Sequence, residues 1–397
     1  MEILAPAGNL EKLKYAIYYG ADAVYTATSR YGLRAKAGNL SLEELKEACV
    51  FCHKLDKKIY VTVNIFAHNR HLLDLPEYLK ELDQIGIDAV IVSDPAVFQM
   101  VKENTDLAVH ISTQANVVSW KSAEFWHNQG AERVILAREL TFSEIVEMAK
   151  YVPQVELEMF VHGAMCIAYS GRCLLSAFFN NRSANLGECT QPCRWKYSLM
   201  EETRPNEYFP ITEDEFGTYI MNSKDLNLIN RLSDIYEAGV ASIKIEGRMK
   251  SLHYVSNVTR VYRNVLDRIN KGQEIPEKFL QELNNVSHRV YTEAFYDGFD
   301  DSDTQFYDNS AYIRDYKFIG KVITQEDDLV KIKILNKFEV GDEIEIIFPD
   351  INDDLIINVE NIYSEDKQKI SFTKPNTNAY IELQGKIPKY GLVRKKV

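Results

Sequence analysis

The sequence has little cysteine and no long apolar run. Only six of its 397 residues are cysteine, and no stretch approaches the roughly 20 apolar residues of a membrane-spanning helix. The opening residues, MEILAPAGNLEKL, have neither the basic segment nor the apolar run of a secretory signal. We therefore expect a cytoplasmic protein, in which thiols serve as metal ligands or catalysts rather than as disulfides.

Several catalytic motifs are also missing. The chain has no G-x-G-x-x-G dinucleotide fingerprint, no H-E-x-x-H for a zinc protease and no G-x-S-x-G nucleophile elbow. Its net charge of -12 opposes non-specific binding of nucleic acid by the whole surface, although a local basic face is still allowed. These absences weigh against a hydrolase of a familiar type.

A recurring unit of helix, glycine and strand is present instead. Gly20, Gly86, Gly130 and Gly239 each end a helical pattern and precede a short apolar, β-branched run. Glycine suits the left-handed residue that ends a helix, and such apolar runs are typical of strands buried on both faces of a parallel sheet. Eight strands are predicted: 2–6, 23–27, 59–64, 89–94, 107–113, 133–138, 155–163 and 241–247.

This alternation predicts an α/β fold, a TIM-like (β/α)8 barrel followed by a small all-β barrel domain. A doubly wound open sheet is the alternative. We place the barrel at 1–275, with a cysteine-containing insertion after the seventh strand, and take the helical pattern at 251–270 as the helix that closes it. A linker helix and an irregular segment follow at 276–310. The β domain at 311–397 has five predicted strands, at 318–324, 329–335, 342–348, 369–374 and 391–396.

Polar residues directly follow the predicted barrel strands. Because catalytic groups of such barrels sit at the carboxyl ends of the strands, these residues predict a polar pocket. Arginine grips carboxylates through paired hydrogen bonds, so a small anionic substrate is expected, and His162 is the candidate for proton transfer. The residues are Arg34, Asn64, Asp94, Gln114, Arg138, Glu139, His162, Glu246 and Arg248.

Four cysteines cluster after the seventh strand. Cys166, Cys173, Cys189 and Cys193 have the spacing C-x6-C-x15-C-x3-C and predict a metal site rather than buried structural thiols. Structural zinc usually takes two C-x2-C pairs, which are missing here, so the spacing favours a 4Fe–4S cluster without excluding zinc. The other pair, Cys49 and Cys52, lies within a helical pattern and is predicted to pack in the core.

The stretch ELEMFVHGAMCIAYSGRCLLS resembles the signature of peptidase family U32, the collagenase-like peptidases. LAPAGNLEKLKYAIYYGADAVY, STQANVVS, MNSKDLNLI and SIKIEGRMKSLHYV resemble further segments of that family, so the resemblance covers about residues 1–300. The family name implies proteolysis. Better-understood members, however, are oxygen-independent hydroxylases of ubiquinone biosynthesis and of RNA, which carry a four-cysteine 4Fe–4S cluster or use prephenate.

The resemblance implies an iron–sulfur enzyme that hydroxylates the wobble uridine of tRNA to 5-hydroxyuridine with prephenate as co-substrate. It implies a 4Fe–4S cluster on Cys166, Cys173, Cys189 and Cys193. The implied catalytic residues are Gln114, Glu158 and His162, and the implied substrate-binding residues are Arg34, Asn64, Arg138, Glu246 and Arg248. The expected partners are tRNA, a prephenate-like dicarboxylate and a possible homologous partner protein, with no membrane. A peptidase and a non-catalytic, metal-stabilised binding protein are the alternatives.

The C-terminal domain offers a candidate RNA-binding face. Small β barrels bind single-stranded nucleic acid through mixtures of basic and aromatic residues. The end of the chain has such a mixture in Lys386, Lys389, Tyr390, Arg394, Lys395 and Lys396. We expect this face to help hold RNA, unless the lysines form only a solvated tail.

Overall fold

The computed structural model describes most of the chain. The described residues are 1–32, 38–165, 172–186, 188–190, 192, 212–214, 217–219, 224–298 and 312–397. Three of the residues assigned above, Arg34, Cys166 and Cys193, lie outside these ranges.

Eight parallel strands form a closed barrel. The first seven barrel strands pair in parallel in the order of the sequence, and the eighth, Ser242–Ile245, pairs in parallel with both the seventh and the first. The TIM-like fold and all eight predicted strands are confirmed. The strands of this part of the chain are β1 Glu2–Pro6, β2 Ala23–Thr26, β3 Lys58–Val63, β4 Ala89–Val92, β5 Ala108–Ile111, β6 Arg133–Ile135, β7 Glu156–Ala164, β8 Thr212–Asp214, β9 Gly217–Tyr219, β10 Asp225–Asn227, β11 Ser242–Ile245 and β12 Tyr291–Thr292.

Helices alternate with the barrel strands, and local sequence fixes where several of them begin and end. Ser41 and Thr141 start two helices with reciprocal hydrogen bonds to a glutamate three residues later, while Gly86 ends another in the left-handed conformation. The helices are α1 Leu10–Tyr18, α2 Leu42–Lys54, α3 Asn69–Leu72, α4 Leu75–Ile85, α5 Pro95–Asn104, α6 Trp120–Asn128, α7 Phe142–Tyr151, α8 Leu175–Asn180, α9 Leu232–Glu237, α10 Leu252–Asn270 and α11 Glu277–Gln281.

Short 3-10 helices occupy Thr113–Ala115, Ala184–Leu186, Ile229–Arg231, Glu282–Asn285 and Ile351–Asp353. None of the helices in the described ranges is long and apolar enough to cross a membrane.

Strand β7 is longer than the other barrel strands because its last residues have a second partner. β10 pairs antiparallel with residues 162–164 of β7, and β12 pairs in parallel with β10. This extension supports the carboxyl end of β7, where His162 lies.

The C-terminal part of the chain forms an antiparallel half-barrel of eight strands. Its apolar core includes Ile332, Phe338 and Phe348. The strands are β13 Tyr316–Glu326, β14 Leu329–Ile334, β15 Glu343–Ile347, β16 Leu355–Asn358, β17 Ile362–Ser364, β18 Lys369–Ile370, β19 Asn378–Glu382 and β20 Leu392–Lys396. Their order in the sheet is β16-β15-β20-β13-β14-β19-β17-β18.

The chain divides into two compact units that are not contiguous in sequence. One contains residues 1–17, 22–250 and 289–312, and the other contains 18–21, 251–288 and 313–397. Helix α10 thus belongs to the unit of the antiparallel sheet, although the sequence pattern had placed it with the barrel. The reason is visible at the fully buried Arg260 of α10, which binds Asp354 at 2.7 Å and Glu282 at 2.6 Å.

Candidate active site at the carboxyl ends of the barrel strands

Asn64 and Gln114 meet at the carboxyl ends of β3 and β5. The Asn64 side-chain amide donates to the Gln114 side-chain oxygen at 3.0 Å. The hydroxyl of Ser93, which follows β4, donates to the same oxygen at 3.3 Å, and Ser112 donates to it as well. This cluster fixes the orientation of two predicted site residues.

Two of the predicted arginines lie at this end of the barrel. The Arg248 guanidinium, after β11, donates to the Thr62 hydroxyl at 3.1 Å near the end of β3. The Arg138 guanidinium, after β6, donates to the Ala164 carbonyl at 3.0 Å and lies 4.1 Å from the centre of the Phe160 ring. Arg248 is buried and Arg138 is half-buried, so each charge is held in place by neighbouring polar and aromatic groups.

His162 is held in β7 by a close backbone contact. It pairs with Ile245 of β11 on one side and with Asn227 of β10 on the other, and its ring centre lies 5.3 Å from that of Tyr291. The next residue, Gly163, has φ +106°, and a Cβ there would lie 2.5 Å from the Glu246 carbonyl oxygen. The His-Gly pair therefore needs glycine in its second position.

The acidic strand-end residues have different surroundings. Glu246 accepts a hydrogen bond from the Tyr25 hydroxyl at 3.0 Å. Asp94 caps α5, accepting from the Ala96 amide at 2.7 Å, and its other oxygen accepts from the Ala67 amide at 2.9 Å. Asp94 is thus engaged in shaping two loops. Burial raises the pKa of Glu139 above its usual range.

Glu158, predicted as catalytic, lies inside the barrel rather than at the ends of the strands. Its carboxylate is fully buried and binds Lys244 at 2.9 Å and Arg133 at 3.1 Å. Burial alone would raise the pKa of Glu158, but the charges of Lys244 and Arg133 outweigh it and lower that pKa. Arg133 also binds Glu2 at 2.6 Å and Glu156 at 2.7 Å.

This ionic network reaches the strand-end residues through one tyrosine. The Lys244 ammonium lies 4.6 Å from the centre of the Tyr25 ring, and the Tyr25 hydroxyl binds Glu246. Sequence reasoning missed Arg133, Lys244 and Tyr25. Charged residues at inward positions of otherwise apolar strands were the available signal, since such side chains are buried only when paired.

Two of the four predicted metal ligands are described, and they lie on adjacent segments. Cys173 precedes α8, and the hydroxyl of Ser176 in α8 donates to the Cys189 sulfur at 3.7 Å and accepts from the Thr190 amide at 3.0 Å. Both thiols are free, Cys173 half-buried and Cys189 exposed, so their chemistry and placement fit a thiolate-bound metal. Within the described ranges, no three or more His, Cys, Asp or Glu side chains are grouped to hold a metal ion.

Cys49 and Cys52 are core residues of α2. Both are buried and free, and burial raises the pKa of each thiol to about 12. A reactive pair would need the opposite shift, which confirms the prediction that these two cysteines pack in the core.

The predicted basic face of the C-terminal domain is wrong in part. Arg394 is 2% exposed and binds Glu282 and Glu345. Tyr390 stacks on Tyr18 with ring centres 3.5 Å apart, and Lys395 binds Asp342 at 2.5 Å. Of the predicted set, only Lys386, Lys389 and Lys396 are exposed.

Comparison with known proteins matches two family descriptions. The description "Peptidase family U32" covers residues 8–305, and "Peptidase family U32 C-terminal domain" covers residues 314–394. Together they cover most of the barrel and most of the antiparallel sheet.

Curated relatives match over most of the chain. The tRNA hydroxylation protein P1 of Bacillus subtilis (strain 168) is 40% identical over 401 residues, covering 99% of this chain and 94% of the relative. The tRNA hydroxylation protein P of Escherichia coli (strain K12) is 39% identical over 393 residues, covering 88% of this chain and 87% of the relative. A 23S rRNA 5-hydroxycytidine synthase of the same strain is 30% identical, covering 87% of this chain and 52% of the relative.

Proposed function

This chain belongs to the peptidase U32 family, and from that membership we propose that it is an RNA-modifying enzyme that hydroxylates the wobble uridine of tRNA. The observation that carries the proposal is the 40% identity to a tRNA hydroxylation protein across 99% of this chain. The relative that acts on ribosomal RNA is less similar and is matched over only 52% of its length, which favours tRNA as the substrate.

The strand-end residues support a small anionic co-substrate such as prephenate. Arg138 and Arg248 place two guanidinium groups at the same end of the barrel, and guanidinium recognises carboxylate through paired hydrogen bonds. Asn64 and Gln114 add amide groups held in fixed orientation. Prephenate carries two carboxylates, so one arginine can bind each of them.

A 4Fe–4S cluster is the metal centre we propose for the four-cysteine segment. Cys173 and Cys189 would supply two of its ligands, and Cys166 and Cys193 the others. Such a cluster supplies electron transfer without oxygen. The chain's own residues would bind and orient the substrate, and His162 would hold or move a proton at one of its ring nitrogens.

The test is nucleoside mass spectrometry of bulk tRNA from two strains. In one the gene for this chain is deleted, and in the other the same deletion is complemented by the gene on a plasmid. We expect 5-hydroxyuridine and its derivatives to disappear on deletion and to return with the parent chain. An Arg248→Gln variant should restore little of the modified nucleoside, whereas Lys54→Gln, on the outer helix α2, should restore all of it. An unchanged nucleoside profile on deletion would refute the proposal.

Proteolysis is the second candidate, and it is carried by the name of the matching family. The same purified chain should be incubated with denatured collagen. Cleavage that a His162→Gln substitution abolishes, while the melting temperature stays unchanged, would favour the peptidase.

A further inference from the structure

Three segments at the carboxyl ends of the barrel strands form one continuous surface, which we call the rim. They are residues 27–32 after β2, 64–73 after β3 and 172–186 after β7. The Ile65 amide donates to the Tyr31 carbonyl at 3.4 Å, and the rings of Tyr31 and His71 pack edge to face. The Arg172 guanidinium lies 5.3 Å from the centre of the Phe66 ring, which joins the third segment to the second.

The rim has a charge opposite to that of the chain. It contains Arg30, Arg70, Arg172 and Arg182 with two histidines and no Asp or Glu, although the chain has 58 acidic residues and a net charge of -12. Arg30 reaches Glu81 at 3.4 Å. Within the described residues, the other three arginines have no carboxylate at ion-pair distance. A cationic patch without internal partners favours a polyanion.

The rim also carries aromatic side chains turned towards solvent. Phe178 in α8 is 81% exposed and the neighbouring Phe179 is 46% exposed, and their rings pack edge to face at 5.1 Å. Tyr31 and Phe66 are half-buried, each with an arginine above its ring. Phe178 and Phe179 therefore form an exposed apolar pair beside cationic side chains, an arrangement that is common at interaction sites.

We propose that the rim binds the single-stranded loop of the RNA substrate, with arginines on the phosphates and aromatic rings stacked on unpaired bases. This inference rests on the proposed function, and it locates the RNA on the barrel unit rather than on the C-terminal lysines. Proteins that hold single strands combine a basic track with aromatic platforms, and loop bases can be splayed out without opening a duplex. An apolar protein partner would not need four arginines, three of them without a carboxylate at ion-pair distance in the described residues.

The test measures binding of the full-length parent to a tRNA and to its anticodon stem-loop by fluorescence anisotropy at several salt concentrations. Arg70→Gln should flatten the slope of log affinity against log salt by about 0.7, because one phosphate contact is lost. Phe178→Ala should weaken binding roughly tenfold and leave the salt slope unchanged. Both side chains are exposed, so neither change should lower the melting temperature.

Matched controls come from the outer surface and from the C-terminal domain. Phe125 in α6 is 55% exposed, and Lys54 lies in the last turn of α2, at the opposite end of the barrel from the rim. Phe125→Ala, Lys54→Gln and the pair Lys386→Gln with Lys389→Gln should all bind tRNA as the parent does.

The results of these binding experiments distinguish a failure of the rim inference from a failure of the proposed function. If the parent binds and modifies tRNA but Arg70→Gln and Phe178→Ala bind with unchanged affinity and salt slope, the rim inference is overturned while the function stands. Weakening by the Lys386 and Lys389 changes alone would also overturn it, in favour of the C-terminal domain. If the parent binds no tRNA at any salt concentration, both the function and the rim are refuted.

Discussion

At the scale of single residues, the question for Glu158 is whether its role is structural or catalytic. It is fully buried between Lys244 and Arg133. We expect Glu158→Leu to lower the free energy of unfolding by about 3–5 kcal/mol, because it leaves the buried ammonium of Lys244 without its carboxylate partner and removes one of the three carboxylates that bind Arg133. Denaturant unfolding followed by circular dichroism measures the change.

A second substitution serves as the control for that prediction. Glu158→Leu with Lys244→Met removes both charges of the pair, and Arg133 keeps Glu2 and Glu156. The double variant should recover part of the lost stability. A Glu158→Leu chain as stable as the parent, yet inactive on tRNA, would instead identify Glu158 as catalytic.

The six cysteines should differ in reactivity. Burial raises the pKa of Cys49 and Cys52 to about 12, and a thiol must ionise to be alkylated. In metal-free, reduced chain at pH 8, we expect iodoacetamide to label Cys173 and Cys189 and to spare Cys49 and Cys52. Peptide mass mapping of the folded chain gives the readout. Unfolded chain is the control, in which all six should react, and equal labelling of the folded chain would contradict the prediction.

At the scale of elements, helix α10 should make stability depend on pH. His253 of α10 stacks on Phe318 of β13, and burial together with the charges of Arg394 and Arg260 lowers the pKa of His253 to about 3. An unfolded histidine titrates near 6.5, so between those values the unfolded state binds a proton that the folded state does not.

The resulting stabilisation is complete above about pH 6.5 and is lost as pH falls towards 3, by up to about 1.4 kcal/mol per pH unit. His253→Phe should reduce that slope, measured as the free energy of unfolding at pH 7, 6, 5 and 4.5. Equal slopes in variant and parent would show that the pKa of His253 is not lowered in the folded chain.

The sequence predicted the barrel well because each barrel strand is a buried apolar run after a helix-ending glycine or a similar break. It predicted the antiparallel sheet less completely. Strands β16, β17 and β19 were missed, since each is at most five residues long and is defined by its pairing with neighbouring strands. The assignment of α10 to the unit of the antiparallel sheet was also missed, because the apolar face of an amphipathic helix does not show which surface it packs against.

The strand-end residues followed from a general rule for barrels, and the structure places Asn64, Gln114, Arg138, Glu246 and Arg248 at that end. What the rule could not provide is which side chains bind one another. The network around Glu158 depends on Arg133, which is 25 residues away in sequence, and on Lys244, which is 86 residues away. The pairing of β7 with both β6 and β11 brings these three side chains together, and closure of the barrel adds Glu2 of β1.

At the scale of the whole molecule, the metal content tests the four-cysteine assignment. Chain purified without oxygen should hold about four iron atoms if all four cysteines bind one cluster. Cys173→Ser and Cys189→Ser should each lower the iron content, whereas Cys49→Ser, in the core of α2, should not. One zinc per chain, with no iron after anaerobic reconstitution, would contradict the prediction.

The interleaving of the two units has a consequence for the order of events during synthesis. The Tyr19 hydroxyl donates to the carbonyls of Ile347 and Tyr390, and the second of these lies 371 residues later in the chain. At a ribosomal rate of about 5–20 residues per second, Tyr390 is synthesised roughly 20 to 75 s after Tyr19. Barrel strands can pair in the meantime, so the tyrosine is fixed only in one of the last steps of maturation.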